Sequence, residues 1–395
     1  MKNKFNYDLC IVGGLGRVGL PLGILFASKG LKVCLNDINK KFSVLVANGT
    51  MPFKEKNAQP LLKKVIKKNN LHISLDPKSI SEARYIVISI GTQIDKRNNP
   101  SKREFFGAIK KISKYFNKSQ VIIIRSSVYP GISQKIYNTL SKKNIKHIAY
   151  CPERIMQGLS IQELTILPQI VSGFTNRAVK EASLLFNKIS PKIIQSNVDE
   201  AELIKLFTNA WRYIQFATAN EFFMICDNFG INYEKIRKIM IDNYRRAENM
   251  PTAGFAAGPC LYKDTIQLSD YYDNNFLLGR TAVKINENLP KFIVEKLTSK
   301  YNLKNLTIGI LGMAFKANID DSRDSLSFKL KKLLKHRGTK VICSDEYIKD
   351  PNFVSKEELI QKSDIIIIGS PHDKYRTLNF KQKKLINIWN NNKNI

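Results

Sequence analysis

The chain has 395 residues, 43% of them hydrophobic, and 64 Lys and Arg against 33 Asp and Glu give a formal charge of +31. This length exceeds what one core normally organises, so two or three domains are expected, and no apolar run approaches the roughly 18 to 20 residues that cross a bilayer, which argues against a membrane-spanning class. The charge would suit nucleic acid or an anionic surface, but the lysines are dispersed among Asn and Ile rather than clustered, so drift in composition explains it better and neither partner is expected.

The opening residues MKNKFNYDLCIVGG pass into a strand-like segment without a signal-peptide apolar core, so a cytoplasmic location is expected. From Tyr7, YDLCIVGGLGRVGLPLGILFASKGLKVCLNDIN reads as strand, glycine turn, helix ending at Gly30 and second strand ending at Asp37, one βαβ unit. Gly14, Gly16 and Gly19 form GLGRVG between strand and helix, the context that a dinucleotide fingerprint requires. In this reading Gly14 permits the tight turn, Gly16 lets a pyrophosphate approach backbone N–H groups, and Gly19 lets the helix pack on the sheet. Asp37 follows Gly19 at the distance where an acid accepts from both ribose hydroxyls and repels a 2′-phosphate, which favours NAD over NADP, although Lys40 and Lys41 soften the preference.

Further buried strands are predicted at YIVISIG, QVIIIRSS and KHIAYCPE, extending a parallel sheet to about six strands within a first domain over 1–195. Thr92 and Ser127 fall just beyond the carboxyl ends of two of these strands, where ligands of open α/β sheets bind. From Asn197 to about Gly230 the helical period is unbroken by Pro or Gly, which predicts a connecting helix of roughly 45 Å that can also offer a dimer surface. It opens a helical domain over 196–295, and it carries Lys205 and Asn209 four apart on one face, where both can aim at one oxyanion. A second α/β domain over 296–395 begins at LTIGILGMAFK, continues through SFKLKKLLKHRG to the strand KVICSDE, which again ends in Asp, and closes with SDIIIIGSPH and a frayed tail NNNKNI. Its glycine pattern differs, so it is not expected to bind a dinucleotide in the same way. The fold expected is α/β, two Rossmann-like doubly wound parallel-sheet domains joined by a long central helix and a small helical domain.

The six cysteines are scattered, with no CxxC pair and no Cys/His cluster at ligand spacing, so neither disulfides nor a metal site is indicated. Cys10, Cys34, Cys151 and Cys343 lie in or at the end of apolar strands and Cys226 in a helical pattern, where thiols act as small hydrophobes. Cys260 alone falls in a loop, AGFAAGPCLYKDTIQL, whose small residues let a substrate approach it while Lys263 and Asp264 follow within one turn.

This loop resembles the catalytic loop of the UDP-glucose and GDP-mannose dehydrogenase family, a small-residue run followed by Cys, Phe or Leu, Pro, Lys and Asp. GLGRVGLPLG, GTMPFKE, RSSVYPG, CPERIMQG, EAELIKLFTNA and ILGMAFKANIDDSRDS match the family in the same order across nearly the whole chain. The resemblance implies a homodimer built on the central helix, an NAD site in the first domain and a site for the substrate's nucleotide in the last. It implies a four-electron oxidation of the C6 alcohol of a nucleotide sugar to a uronic acid, with Cys260 forming a thiohemiacetal and then a thioester, in the service of surface polysaccharide synthesis. Lys205 and Asn209 would then stabilise the oxyanion, Asp264 would partner Lys205 and help activate water, and Glu153 would position that water. Val18 joins the cofactor contacts, Arg323 matches a residue on the NAD phosphates, and Lys316, Arg154, Gly258 and Arg246 match substrate contacts, an arginine at Arg245 or Arg246 reaching the sugar of the neighbouring subunit.

The loop departs from the family's glycine-rich form at Phe255, Ala257, Pro259 and Tyr262, side chains expected to narrow the approach to the sulfur; Gln157 stands where some members carry Glu, and Ser127 where Thr is usual. PERxxxG resembles members acting on 2-acetamido sugars more than PEFLxEG, so a UDP-N-acetylhexosamine ranks first as substrate, UDP-glucose second and GDP-mannose third. Two alternatives stay open: a two-electron dehydrogenase or epimerase with Cys260 idle, and a binding homologue without turnover.

Overall fold

The computed structural model describes residues 5–92, 102–380 and 383–389. The chain divides into two compact units, Met1–Phe207 and Thr208–Ile395.

In the first unit β1 (Tyr7–Val12), α1 (Gly19–Ser28) and β2 (Val33–Asn36) form the anticipated βαβ unit, followed by α2 (Lys40–Ala47), α3 (Ala58–Lys67), β3 (Leu71–Ser74) and β4 (Ala83–Ile88). The chain continues through α4 (Lys102–Ile112), β5 (Val121–Ile124), α5 (Ile132–Ser141), β6 (Ile148–Tyr150), α6 (Ser160–Ile166), β7 (Gln169–Gly173), α7 (Asn176–Phe186) and β8 (Ile193–Gln195). These strands make one eight-stranded sheet in the order β3-β2-β1-β4-β5-β6-β7-β8, parallel except where β6 meets β7. That is two strands more than the sequence suggests, with an antiparallel junction it does not show. Alternation along the strands explains the buried apolar runs: Leu9, Ile11, Leu35, Val87 and Ile123 pack into one core, while Cys10, Val12, Ile86, Ile88 and Ile124 pack into another. Both faces of the sheet are therefore covered, the condition a parallel sheet requires.

The long helix α8 (Val198–Asn228) runs from the first unit into the second. It begins with a reciprocal cap, Asn197 Oδ1 accepting from Glu200 N at 2.8 Å and Glu200 Oε2 accepting from Asn197 N at 3.1 Å, and it stops before Gly230 at φ +70°. In the second unit α9 (Tyr233–Ile241), α10 (Leu261–Tyr271) and α11 (Leu277–Lys300) precede β9 (Thr307–Leu311), α12 (Leu326–His336), β10 (Lys340–Ser344), α13 (Lys356–Lys362), β11 (Ile365–Ile368) and β12 (Lys384–Ile386). Its four strands are all parallel, in the order β10-β9-β11-β12. The tail expected to fray lies outside the described residues. Among the described residues no helix is long and apolar enough to cross a membrane.

Candidate active site

In the first unit the strand order reverses between β1 and β4, and residues marked for the cofactor follow the carboxyl ends of β1, β2, β4 and β5. The left-handed residue of the glycine turn is Gly13, at φ +77°, and not Gly14 as the motif alone suggests. Gly14 is required by proximity, because an added Cβ would lie 2.7 Å from Ile11 O and 2.8 Å from Leu35 Cα; at Gly19 it would lie 2.4 Å from Gly13 O. Gly16 is different: its nearest obstacle is Gly13 O at 3.4 Å, so the polypeptide itself has room there. Bare backbone at that point fits a pyrophosphate approaching the amides at the head of α1, where Val18 holds the N-cap position. Asp37 directly follows β2, its Oδ2 accepting from Leu15 N at 2.9 Å and its Oδ1 from Ile38 N and Asn39 N. It braces the glycine turn, a task beyond the ribose contact read from sequence. Thr92 Oγ1 donates to Ser127 O at 2.6 Å, joining the two strand-end residues.

Glu153 follows β6 and is buried. Its Oε1 accepts from Arg154 N and Ile155 N, both at 2.7 Å, and its Oε2 pairs with Arg125 Nη2 at 2.5 Å. Arg125, 1% exposed, also donates to Gln169 Oε1 at 2.9 Å and stacks its guanidinium on the Phe186 ring. Sequence reasoning missed Arg125, although a charged residue directly after the buried run VIII is itself a signal. Arg154 turns its guanidinium to Pro168 O at 2.5 Å, and burial lowers its basicity. Glu55, from GTMPFKE, accepts from Gly158 N, Ser160 N and Ser160 Oγ, and so caps α6 and clips the CPERIMQG loop in place. Lys205 is buried on α8 one turn before Asn209.

In the second unit Cys260 is exposed at the N-cap of α10, whereas the other five cysteines are buried. Asp264, one turn into α10, is fully buried; it accepts from Asn209 Nδ2 at 2.5 Å and pairs with Lys263 Nζ at 2.8 Å. Gly258 adopts φ +100°, and an added Cβ would lie 2.5 Å from the Phe315 ring, so the turn before the thiol requires glycine. Phe255 is 2% exposed and packs into the core with Phe223 and Leu289, and Tyr262 packs in a cluster with Tyr213 and Ala256. Phe255 thus adds to the core beneath the loop, whereas Tyr262 stays half-buried.

Arg323 is held above its usual basicity, first by its hydrogen bonds to Asp321 and further by the charge of Asp321. Its guanidinium grips Asp321 through Nε and Nη2, while the side chain remains 59% exposed. Lys316 is half-buried in the segment after β9, and Arg246 is exposed in the turn after α9.

Three family models match the chain in order: the NAD binding domain of the UDP-glucose/GDP-mannose dehydrogenase family over residues 8–190, its central domain over 199–288 and its UDP binding domain over 309–391. A UDP-N-acetyl-D-mannosamine dehydrogenase of Methanocaldococcus jannaschii is 30% identical over all of this chain and 92% of its own length. The namesake of Methanococcus maripaludis is 28% identical over 96% of this chain and 90% of its own. Among solved structures, UDP-D-ManNAc dehydrogenase from Pyrococcus horikoshii superposes with a TM-score of 0.89 at 25% identity, covering 97% of this chain and 95% of that one.

Proposed function

The chain belongs to the UDP-glucose/GDP-mannose dehydrogenase family and is an NAD-dependent nucleotide-sugar dehydrogenase, and we propose that it oxidises C6 of UDP-N-acetylmannosamine to the carboxylate through a covalent Cys260 intermediate. The sugar is supported by the relatives' names and by the PERxxxG form of residues 152–158. The observation that carries the mechanism is Cys260, exposed where the other cysteines are buried and seated beside the Asn209–Asp264–Lys263 cluster.

Bound NAD supplies the oxidant, each of two equivalents accepting one hydride. After the alcohol becomes an aldehyde, the Cys260 sulfur adds to its carbonyl carbon, and the resulting thiohemiacetal keeps the sugar in place. Lys205 and Asn209 supply donors to the negative oxygen that develops at C6. Loss of a second hydride leaves a thioester, which water cleaves to the acid and free thiol, the water held by Glu153 and Asp264. The bidentate Arg323–Asp321 pair presents a cation of fixed orientation to phosphate. We further infer that the enzyme acts in the cytoplasm as a homodimer, and that its UDP-activated sugar acid is a glycosyl donor for surface polysaccharide.

Counting NADH against UDP-N-acetylmannosamine, UDP-N-acetylglucosamine, UDP-glucose and GDP-mannose tests the reading. Two NADH per sugar are expected, with the highest kcat/KM on UDP-N-acetylmannosamine, and Cys260→Ser should form no acid. One NADH per sugar, or acid formation by the variant at the wild-type rate, would overturn the covalent route.

A further inference from the structure

We propose that Asn220 is a positioning residue for this reaction, tethering the catalytic loop to α8 so that Cys260 stands where it captures the half-oxidised sugar. The proposal rests on the reading of Cys260 as nucleophile.

Asn220 and Asn286 are both 0% exposed, on α8 and α11. Asn220 Oδ1 accepts from Gly254 N at 2.8 Å, and its Nδ2 donates to Asn286 Oδ1 at 2.8 Å; Asn286 Nδ2 donates in turn to Tyr213 O at 3.0 Å. A backbone N–H at one end and a backbone carbonyl at the other admit only one orientation of the two amides, so the chain of bonds has a fixed direction. The residues next along the same elements are apolar and buried: Phe223, Ala253, Phe255 and Leu289 in one core cluster, Tyr213, Ala217 and Ala282 in another. Hydrophobic residues of similar volume would fill this space without desolvating two amides. What the amides add is a directional hold on the loop backbone.

That hold meets a segment with little freedom left. Gly254 sits at φ +155° against the Trp389 ring, where an added Cβ would come within 2.2 Å of Cε3. Four residues on, Gly258 is pinned beneath Phe315, with its N–H directed at Asp324 O at 3.4 Å. Cys260 follows two residues later, and α10 behind it is tied to α8 by the Asn209–Asp264 bond. One helix therefore brackets the nucleophile, holding the loop before it through Asn220 and the helix after it through Asn209, about 16 Å apart along the α8 axis at 1.5 Å per residue.

The first hydride transfer makes no use of the sulfur, whereas aldehyde capture depends on how closely the sulfur is held to the carbonyl carbon. Loosening the tether should thus spare the first oxidation and let aldehyde escape before the second. For Asn220→Ala the expected result is a fall from two NADH per sugar consumed toward one, with the missing half recovered as aldehyde trapped by hydroxylamine. Ile366→Ala, destabilising the separate core under β11, should keep two NADH per sugar. Hydrogen exchange of the wild-type enzyme gives a reading independent of any variant's folding: the Gly254 amide should be strongly protected. Two NADH per sugar without trapped aldehyde in Asn220→Ala, equal leakage from Ile366→Ala, or a Gly254 amide exchanging like open chain would each overturn the proposal. One NADH per sugar in the wild type would instead refute the nucleophile itself.

Discussion

Arg125 opens the RSSVYPG segment, and much of the site hangs on it although the motif assigns it no role. Its guanidinium meets Glu153, Gln169, the Cys151 carbonyl and the Phe186 ring, and Glu153 in turn grips the two amides that follow it in the chain. Removing one member of a buried pair strands the other without water, a loss of about 3 to 5 kcal/mol, whereas removing both is far milder. Arg125→Met should therefore lower the urea midpoint of the N-terminal unit sharply, and Arg125→Met with Glu153→Gln should recover most of it. A single variant as stable as wild type, or a double variant worse than the single, would show that the pair does not hold this loop. The sequence placed Glu153 but not its partner, because a cation is paired by what the fold brings opposite, and Gln169 and Phe186 come from β7 and α7. Gly13 was hidden differently: three glycines within four positions satisfy one spacing rule, and only backbone geometry shows that Gly13 takes the left-handed conformation while Gly14 faces Leu35.

Elements whose pattern is local are legible in the sequence, and those that owe their stability to pairing are not. β5 and β11 are continuous apolar runs, β1 and β4 each end in four apolar residues, and α8 has capping residues at its head and glycine past its end, so each is legible. β8 is three partly exposed residues, β3 only four, and both exist because a neighbouring strand offers hydrogen bonds. The echo between the units was also legible in part. Asp345 follows β10 as Asp37 follows β2, and its Oδ2 accepts from Met313 N and Ala314 N just as Asp37 accepts from Leu15 N. What sequence could not supply is His372, which arrives from beyond β11. Its Nδ1 accepts from Asn318 N at 2.8 Å, so Nε2 carries the proton and donates to Asp345 at 3.2 Å. Burial opposes ionisation of Asp345, yet the hydrogen bond from His372, with the N–H donors of Tyr347 and Ile348, outweighs it and holds the carboxyl below its usual range. A depressed carboxyl contributes stability above the unfolded pKa of about 4, and that contribution is lost as pH falls through the folded value. The gap in urea midpoint between wild type and Asp345→Asn should accordingly be wide at pH 7 and narrow on acidification below about pH 4. An equal gap at both ends would remove Asp345 from the acid sensitivity of this unit.

For the whole molecule, the surface of α8 bears on how many chains complete a site. Phe207, Trp211, Phe222 and Ile225 on α8, with Phe229 just past its end, are 38% to 77% exposed. Their numbers place them within about 60° of rotation at 3.6 residues per turn, a single apolar stripe along a helix whose opposite face is buried. A stripe of this kind suits a second copy of the same chain, because a two-fold axis sets it against itself. Arg246 adds a chemical reason. It is exposed in the turn after α9, and the family resemblance implies that it contacts the sugar held by a neighbouring subunit. Trp211→Glu should then give a monomer by light scattering, with unchanged helix content and lost turnover. Mixing separates this from simple damage to the fold. Cys260→Ser and Arg246→Ala chains, each inactive alone, should recover activity once subunits exchange, since a heterodimer holds one site with an intact thiol from one chain and an intact arginine from the other. If the mixture stays inactive while both variants remain dimeric, Arg246 serves its own chain, and the dimer is then a matter of stability rather than of chemistry.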